Sequence, residues 1–244
     1  MKKIYLRRLI QIIALTILLL PIWFTDLIWY GTYISAELFG VNLTDPLTTL
    51  EITLASREIW IPLIISSLPL IIVAIIFGRV FCSYICPLNF LLELMPARQK
   101  KILQTRTLPL IALGIVLALS AILSVPVFNT ASPVFALMRV MIFGVGIEII
   151  LIVMVIGAAF IWGQKIWCRT LCPLGAIYGL FGLKRLLKVS VDKNNCINCG
   201  RCEKICSMGT SPLKNSFEDN FLCTNCGDCI DSCPKKALSF KRGE

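Results

Sequence analysis

Long runs of apolar residues, separated by short polar segments, fill the chain before residue 183 and predict helices. Four runs are long enough to suggest helices that cross a bilayer: roughly Leu9 to Phe24, Trp60 to Phe77, Leu108 to Phe128 and Met141 to Trp162. Hydrophobic residues make up 57% of the 244 residues and charged residues only 16%, which is more apolar than an ordinary soluble domain. We therefore expect an α-helical membrane protein with four transmembrane helices over residues 1–183.

Lysine and arginine are distributed unevenly over the segments that flank these runs. They cluster before the first run, between the second and third, and after the fourth, whereas the other two connections carry one each, Arg57 and Arg139. Because positive residues favour the cytoplasmic side, we expect a multi-pass protein of the bacterial cytoplasmic (inner) membrane with both termini in the cytoplasm. The net charge of +10 then reflects contact with membrane lipid and not with nucleic acid.

The sequence Cys-x-x-x-Cys-Pro occurs twice, each time after an apolar run. FCSYICPLN at residues 81–89 returns 86 positions later as WCRTLCPLG at residues 167–175. This repetition predicts two tandem two-helix repeats, about residues 1–97 and 98–183, in the same orientation. Such repeats would bring four cysteines together: Cys82, Cys86, Cys168 and Cys172.

Three interpretations of these four cysteines remain open. Their thiolates could ligate a further cluster or metal ion, since cysteines at i and i+4 share one helix face. They could form redox-active dithiols whose pKa is lowered by Arg79, Lys165 or Arg169. They could also be small buried residues that shape a helix end before Pro87 and Pro173.

The remaining eight cysteines form two tight runs in residues 184–244, which we expect to be a small α+β domain. Short strands are predicted at Val189–Asp192 and Ala237–Phe240, on either side of the runs. Each run has the spacing Cys-x-x-Cys-x-x-Cys-x-x-x-Cys, which is typical of iron–sulfur clusters. Zinc is the alternative, but paired runs of this spacing are unusual for zinc.

Acidic residues are few. Glu148 lies at the start of the fourth apolar run and is a candidate proton acceptor for a quinol, with an ion pair to Arg139 as the alternative. The connection after the first run is acidic, and we interpret it as a solvated or partner-facing surface; its acidic residues are Asp26, Glu37, Asp45, Glu51 and Glu58. The chain contains no histidine, which excludes His-ligated haem and Rieske centres.

The tail resembles a bacterial-type ferredoxin with two [4Fe–4S] clusters, and the whole chain resembles one family. That family is the membrane quinol dehydrogenase component of periplasmic nitrate reductase systems, together with the methylamine-utilisation ferredoxins. In the ferredoxin pattern the fourth cysteine of each run ligates the other cluster. The resemblance therefore implies one ligand set of Cys196, Cys199, Cys202 and Cys233, and a second of Cys223, Cys226, Cys229 and Cys206.

The resemblance implies that the chain is an electron-transfer subunit and not a stand-alone enzyme. The leading hypothesis is a relay between the quinol pool and a reductase, with a partner iron–sulfur protein or cytochrome, the ferredoxin domain lying in the cytoplasm. The alternative is an accessory, assembly or redox-regulatory protein that uses cytoplasmic electrons to maintain a metal or thiol site without quinone.

Overall fold

The structure is a computed structural model that describes residues 3–23, 29–31, 35–38, 41–95, 107–144, 146–214 and 216–242. In the part before the cysteine tail, its elements are α1 (Lys3–Trp23), β1 (Trp29–Gly31), β2 (Ser35–Leu38), β3 (Val41–Thr44), α2 (Pro46–Ser56), α3 (Ile61–Phe77), α4 (Val80–Tyr84), α5 (Pro87–Glu93), α6 (Leu108–Leu123), α7 (Val127–Ala131), α8 (Pro133–Phe143), α9 (Ile149–Trp162), α10 (Ile166–Thr170), α11 (Pro173–Phe181) and a 3₁₀ turn (Gly182–Lys184). The tail contains β4 (Leu187–Val191), α12 (Arg201–Ile205), α13 (Phe217–Leu222), α14 (Asp228–Asp231) and β5 (Leu238–Arg242).

The four apolar runs do form helices, namely α1, α3, α6 and α9. The prediction that they are four transmembrane helices is wrong, however. In the described part of the chain, no helix combines the length and the apolar character that crossing a membrane requires. The boundary expected between the two repeats, near residues 97 and 98, lies outside the described residues.

Helix α1 has 21 residues, whereas α3, α6 and α9 are shorter than their apolar runs because the backbone turns within or beside each of these three runs. Helix α3 has 17 residues and ends where Gly78 adopts a φ of 73°. Helix α6 has 16 residues and ends at Ser124, whose φ is 52°. Helix α9 has 14 residues and ends at Gly163. Each of these three helices is below the roughly 20 residues that a bilayer-spanning helix needs.

Helix α11 is the central element of the helical part. It packs against α2, α3, α6 and α13, and it contributes Leu174, Ile177 and Tyr178 to a buried apolar cluster. The end of α3 approaches the 3₁₀ turn so closely that a Cβ on Gly182 would lie 2.7 Å from the Cα of Gly78. The glycine at 182 therefore permits this contact, which places the second Cys-Pro turn beside the first.

The tail contains a two-stranded antiparallel sheet, whose strands overlap the two short strands that the sequence predicts. Strand β4 pairs with β5 in a register that places Val189 opposite Phe240. The tail is joined to the helical part by Asn225, which is 3% exposed and whose side-chain amide donates to the carbonyls of Phe77 and Leu187, at 2.8 Å each. One side chain thus ties the second cysteine run to the end of α3 and to β4.

Candidate iron–sulfur sites

The eight tail cysteines line two separate cavities, which we call the first and second tail cavities. Each cavity is lined by three cysteines of one run and the fourth cysteine of the other run. The first tail cavity is lined by Cys196, Cys199, Cys202 and Cys233. The second is lined by Cys223, Cys226, Cys229 and Cys206. The structure therefore brings together the two sets that the ferredoxin resemblance implies, and their role as ligands stays a prediction.

The two runs reach this arrangement through the same local backbone. In the first run Asn198 and Gly200 have φ values of 51° and 67°, and in the second Asn225 and Gly227 have 52° and 84°. Residues with a left-handed backbone conformation at alternate positions bend the chain around the thiols. Asparagine and glycine tolerate this conformation best. Each glycine then precedes a short helix, α12 or α14, that carries the third cysteine.

The side chains around the tail cavities fit a [4Fe–4S] cluster in their chemistry. Each cavity offers four thiols, one for each iron of such a cluster. In the second tail cavity the hydroxyl of Thr224 is buried and has no hydrogen-bond partner among the described residues. The alternative of a single metal ion such as zinc is not supported in the described ranges. No group of three or more Cys, Asp or Glu side chains there is arranged to hold one metal ion.

The four cysteines of the Cys-x-x-x-Cys-Pro sequences line one further cavity, which we call the helix cavity. Cys82 lies in α4 and Cys168 in α10, whereas Cys86 and Cys172 are the N-caps of α5 and α11. The expectation that each pair shares one helix face is wrong, because the chain turns between the two cysteines. In both repeats a short helix is followed by a turn, and a second helix begins directly after the Cys-Pro sequence. The duplicated sequence therefore has a duplicated local structure.

The thiols of the helix cavity do not have the lowered pKa that a dithiol role requires. Burial raises the pKa of the Cys172 thiol to about 11 and also raises the pKa of Cys82 and Cys168. The charge of Arg79 acts in the opposite direction on these thiols, but the loss of water outweighs it. A buried thiol of this kind is a poor nucleophile, which weighs against the dithiol interpretation.

Glu148, the candidate proton acceptor, is not a buried carboxylate. It forms an ion pair with Arg139, and its side chain is 30% exposed. It also lines none of the three cysteine cavities. The structure therefore supports the alternative interpretation, in which Glu148 forms an ion pair with Arg139 at the start of α9.

Two carboxylates that we expected at the surface are buried instead. Asp45 is 1% exposed, caps α2 and accepts a hydrogen bond from the Tyr178 hydroxyl at 2.6 Å. Glu51 is fully buried and accepts hydrogen bonds from the Ser120 hydroxyl and the Phe128 amide. Asp45-Pro46 is a sequence signal for a helix start, which could have identified the capping role.

A buried ion network near the second tail cavity was not predicted either. Glu93 binds Lys165 at 2.8 Å and Arg7 at 3.2 Å, and Arg7 also binds Asp228 at 2.8 Å. Arg7 and Lys165 are 2% and 3% exposed. The network joins α1, α5 and α14 with the residue before α10. Its members are far apart in the sequence, so no local pattern reveals it.

Comparison with known proteins assigns a family to this arrangement. A 4Fe-4S binding domain family matches residues 59–103 and 144–190, and a 4Fe-4S dicluster domain family matches residues 195–238. These matches include all twelve cysteines, and they support [4Fe–4S] clusters as the cofactors of the protein. No solved structure matches the chain.

Relatives of known name match over most of the chain. The ferredoxin-type protein NapH of Haemophilus influenzae is 31% identical over 97% of this chain and 88% of its own length. NapH of Escherichia coli K12 is 31% identical over 96% of this chain and 88% of its own. The methylamine utilization ferredoxin-type protein MauN of Paracoccus denitrificans is 32% identical over 82% of this chain and 74% of its own. The chain therefore belongs to the NapH/MauN family of ferredoxin-type iron–sulfur electron-transfer proteins.

Proposed function

We propose that this iron–sulfur protein relays electrons from the quinol pool to a reductase, through a partner iron–sulfur protein or cytochrome. We propose further that it works at the membrane that holds the quinone. A [4Fe–4S] cluster supplies one-electron transfer with little change in geometry. The observation that carries the proposal is the wall that the helix cavity shares with the second tail cavity.

These two cavities share part of their wall. Met208 and Thr224 line both of them and are 3% and 6% exposed. Redox groups held by the two cysteine sets would thus lie on either side of the Met208 and Thr224 side chains. A short, dry separation of this kind is what a relay needs, and it supports a function for the helix cavity.

We propose that the helix cavity holds a third [4Fe–4S] cluster. Four thiols converge there, two from each repeat, and the 4Fe-4S binding domain family covers both repeats. The indole N–H of Trp167, which lines the cavity, is buried without a partner among the described residues. The buried donor and the four thiols are chemically suited to a sulfur-rich, negatively charged group.

A large apolar cavity beside the helix cavity supports quinol as the electron donor. Its volume is about 450 Å³, within the usual range for small-molecule sites. Residues of α9 and α10 line it, and Trp167 lines both this cavity and the helix cavity. We propose that the quinol ring binds in this apolar cavity, next to the Trp167 indole that also lines the helix cavity.

The first experiment tests the third cluster. The purified protein is expected to contain about twelve iron atoms, and the double substitution Cys82→Ser/Cys168→Ser should reduce this to about eight. The matched control is Ser83→Ala, which changes a buried neighbour in α4 that lines none of the cysteine cavities. About eight iron atoms in the unchanged protein, with no loss in the double variant, would exclude a cluster in the helix cavity.

The second experiment tests quinol oxidation. Anaerobic mixing with a water-soluble naphthoquinol should bleach the cluster absorbance, and Ala158→Phe should slow this at least tenfold because the ring fills the apolar cavity. Val153→Phe makes a similar change on the same helix outside the cavity, where the side chain is 60% exposed, and should leave the rate unchanged. A protein that dithionite reduces but naphthoquinol does not would contradict the proposal and favour the accessory function.

A further inference from the structure

Arg79 is a fully buried cation with an incomplete set of partners. It is 1% exposed and precedes α4 in the first repeat. Its Nε and Nη2 atoms are buried and have no hydrogen-bond partner among the described residues. A buried guanidinium is costly unless an anion or acceptors compensate it, so these unpartnered N–H groups point to a missing acceptor.

The surrounding residues hold the guanidinium in one place. The Arg79 Cζ atom lies 4.4 Å from the ring centroid of Phe221, two residues before Cys223. A Cβ on Gly179 would lie 2.5 Å from both Nε and Nη2 of Arg79. The glycine therefore leaves the space that the guanidinium occupies, between α11 and α13.

The duplication shows what is missing. In the second repeat the residue equivalent to Arg79 is Lys165, 86 positions later, and its charge is compensated by Glu93 at 2.8 Å. The residue equivalent to Glu93 is Gly179, again 86 positions later. Lys165 thus has the carboxylate of Glu93 beside it, whereas Arg79 has the glycine Gly179 at the equivalent position. The counter-charge for Arg79 must come from another group.

The sulfur atoms near Arg79 belong to cysteines of two different cavities. Cys82, Cys168 and Cys172 of the helix cavity and Cys223 of the second tail cavity all act electrostatically on its charge. Arg79 also lines the helix cavity itself. The guanidinium therefore lies where it can face sulfur atoms of both cysteine sets.

We infer that Arg79 donates hydrogen bonds to sulfur at both the helix cavity and the Cys223 side of the second tail cavity, and thereby raises the reduction potentials of both sites. The helix-cavity half of this inference rests on the proposed third cluster, whereas the Cys223 half does not. A fixed positive charge stabilises the more negative, reduced form of a cluster, which makes the electron easier to accept at the two adjoining sites.

The test is a redox titration followed by EPR on the purified holoprotein, with iron content measured in parallel. Arg79→Gln should lower the reduction equilibrium constant of the two adjoining sites at least tenfold, or about 59 mV for one electron. The site of the first tail cavity should not change. Arg139→Gln removes an arginine that lines none of the cysteine cavities and serves as the matched control.

Two further variants keep the inference falsifiable if Arg79→Gln loses iron. Arg79→Lys retains the charge but not the guanidinium, and Gly179→Ala retains Arg79 but forces its guanidinium to move. Gly179→Ala should lower the same potentials with full iron content, and Arg79→Lys should lower them less than Arg79→Gln does, because the lysine keeps the charge and loses only the guanidinium hydrogen bonds. Unchanged potentials in both would overturn the inference. Eight iron atoms in the unchanged protein would remove only the proposed third cluster, since the Cys223 site would still report on Arg79.

Discussion

Glu93 neutralises two buried cations, so removing its charge should destabilise the fold strongly. The substitution Glu93→Gln keeps the size of the side chain but leaves Lys165 with no carboxylate partner among the described residues, whereas Arg7 keeps Asp228. The side chains of Glu93 and Lys165 are 9% and 2% exposed, so water screens this interaction little. Breaking such a buried pair costs about 3 to 5 kcal/mol, and we expect a loss of unfolding free energy in this range.

The measurement is urea unfolding of the purified holoprotein, followed by far-UV circular dichroism. Glu58→Gln is the matched control, because Glu58 is exposed and should change the unfolding free energy by less than about 0.5 kcal/mol. The double substitution Glu93→Gln/Lys165→Met should recover much of the loss, since it removes the unpaired cation as well. A loss below about 1 kcal/mol in Glu93→Gln alone would refute the assigned role of this network.

The pH dependence gives a second readout of the same carboxylate. Burial pushes the pKa of Glu93 up, but the charges of Lys165 and Arg7 outweigh this and lower it below 4.5. The folded state then binds the Glu93 proton less tightly than the unfolded state does. The contribution of Glu93 to stability is therefore present above about pH 4.5 and is lost as the pH falls, and Glu93→Gln should lack this loss.

Three further predictions concern Asn225, which joins the tail to the helical part, the buried N-cap residue Asp45, and Cys233, which lines the cavity of the opposite run. Asn225→Ala should cost about 2 to 4 kcal/mol of unfolding free energy, because it leaves the carbonyls of Phe77 and Leu187 without this donor and puts alanine at a φ of 52°. Asn225→Gly, which relieves only the backbone strain, should lose less in the same urea titration. Burial raises the pKa of Asp45 from 3.8 to about 6, so the folded state holds this proton more tightly than the unfolded state. Stability should thus fall by up to about 3 kcal/mol as the pH rises from about 4 to about 6, and Asp45→Asn should abolish this fall in unfolding curves recorded across that range. Cys233→Ala should alter the EPR signal of the site in the first tail cavity and leave the second unchanged, whereas the opposite result would contradict the crossed ligand sets.

Features that depend on spacing alone were predictable from the sequence. The interval of 86 residues between the Cys-Pro sequences predicted that the four cysteines meet, and they line one cavity. The resemblance to bacterial-type ferredoxins, and not the spacing itself, implied that Cys206 and Cys233 join the opposite runs, and each lines the cavity of the opposite run. These relations hold because equivalent sequences fold into equivalent turns, so the spacing in sequence carries over into the arrangement in space.

Features that depend on long-range packing were not predictable. Apolar content indicated the helices and the end of α3 at Phe77, but not the end of α6 at Leu123, which is set by the positive φ of Ser124. The acidic residues Asp45 and Glu51 looked like surface groups because their donors, such as the Tyr178 hydroxyl, come from distant segments. Burial of a carboxylate is decided by whether such partners arrive, and a single sequence does not show their arrival.

The two cysteine runs of the tail share one local backbone but differ in burial. Asn225 in the second run is 3% exposed and fastens its cavity to the helical part, whereas its equivalent Asn198 is exposed. Beside them, Cys199 is exposed and Cys226 is only partly accessible. The second tail cavity is therefore an inner site that shares a wall with the helix cavity, and the first is an outer site. The relay that we propose would use this difference, because it would pass electrons from the inner site beside the helical part to an outer site that a partner can approach from solvent.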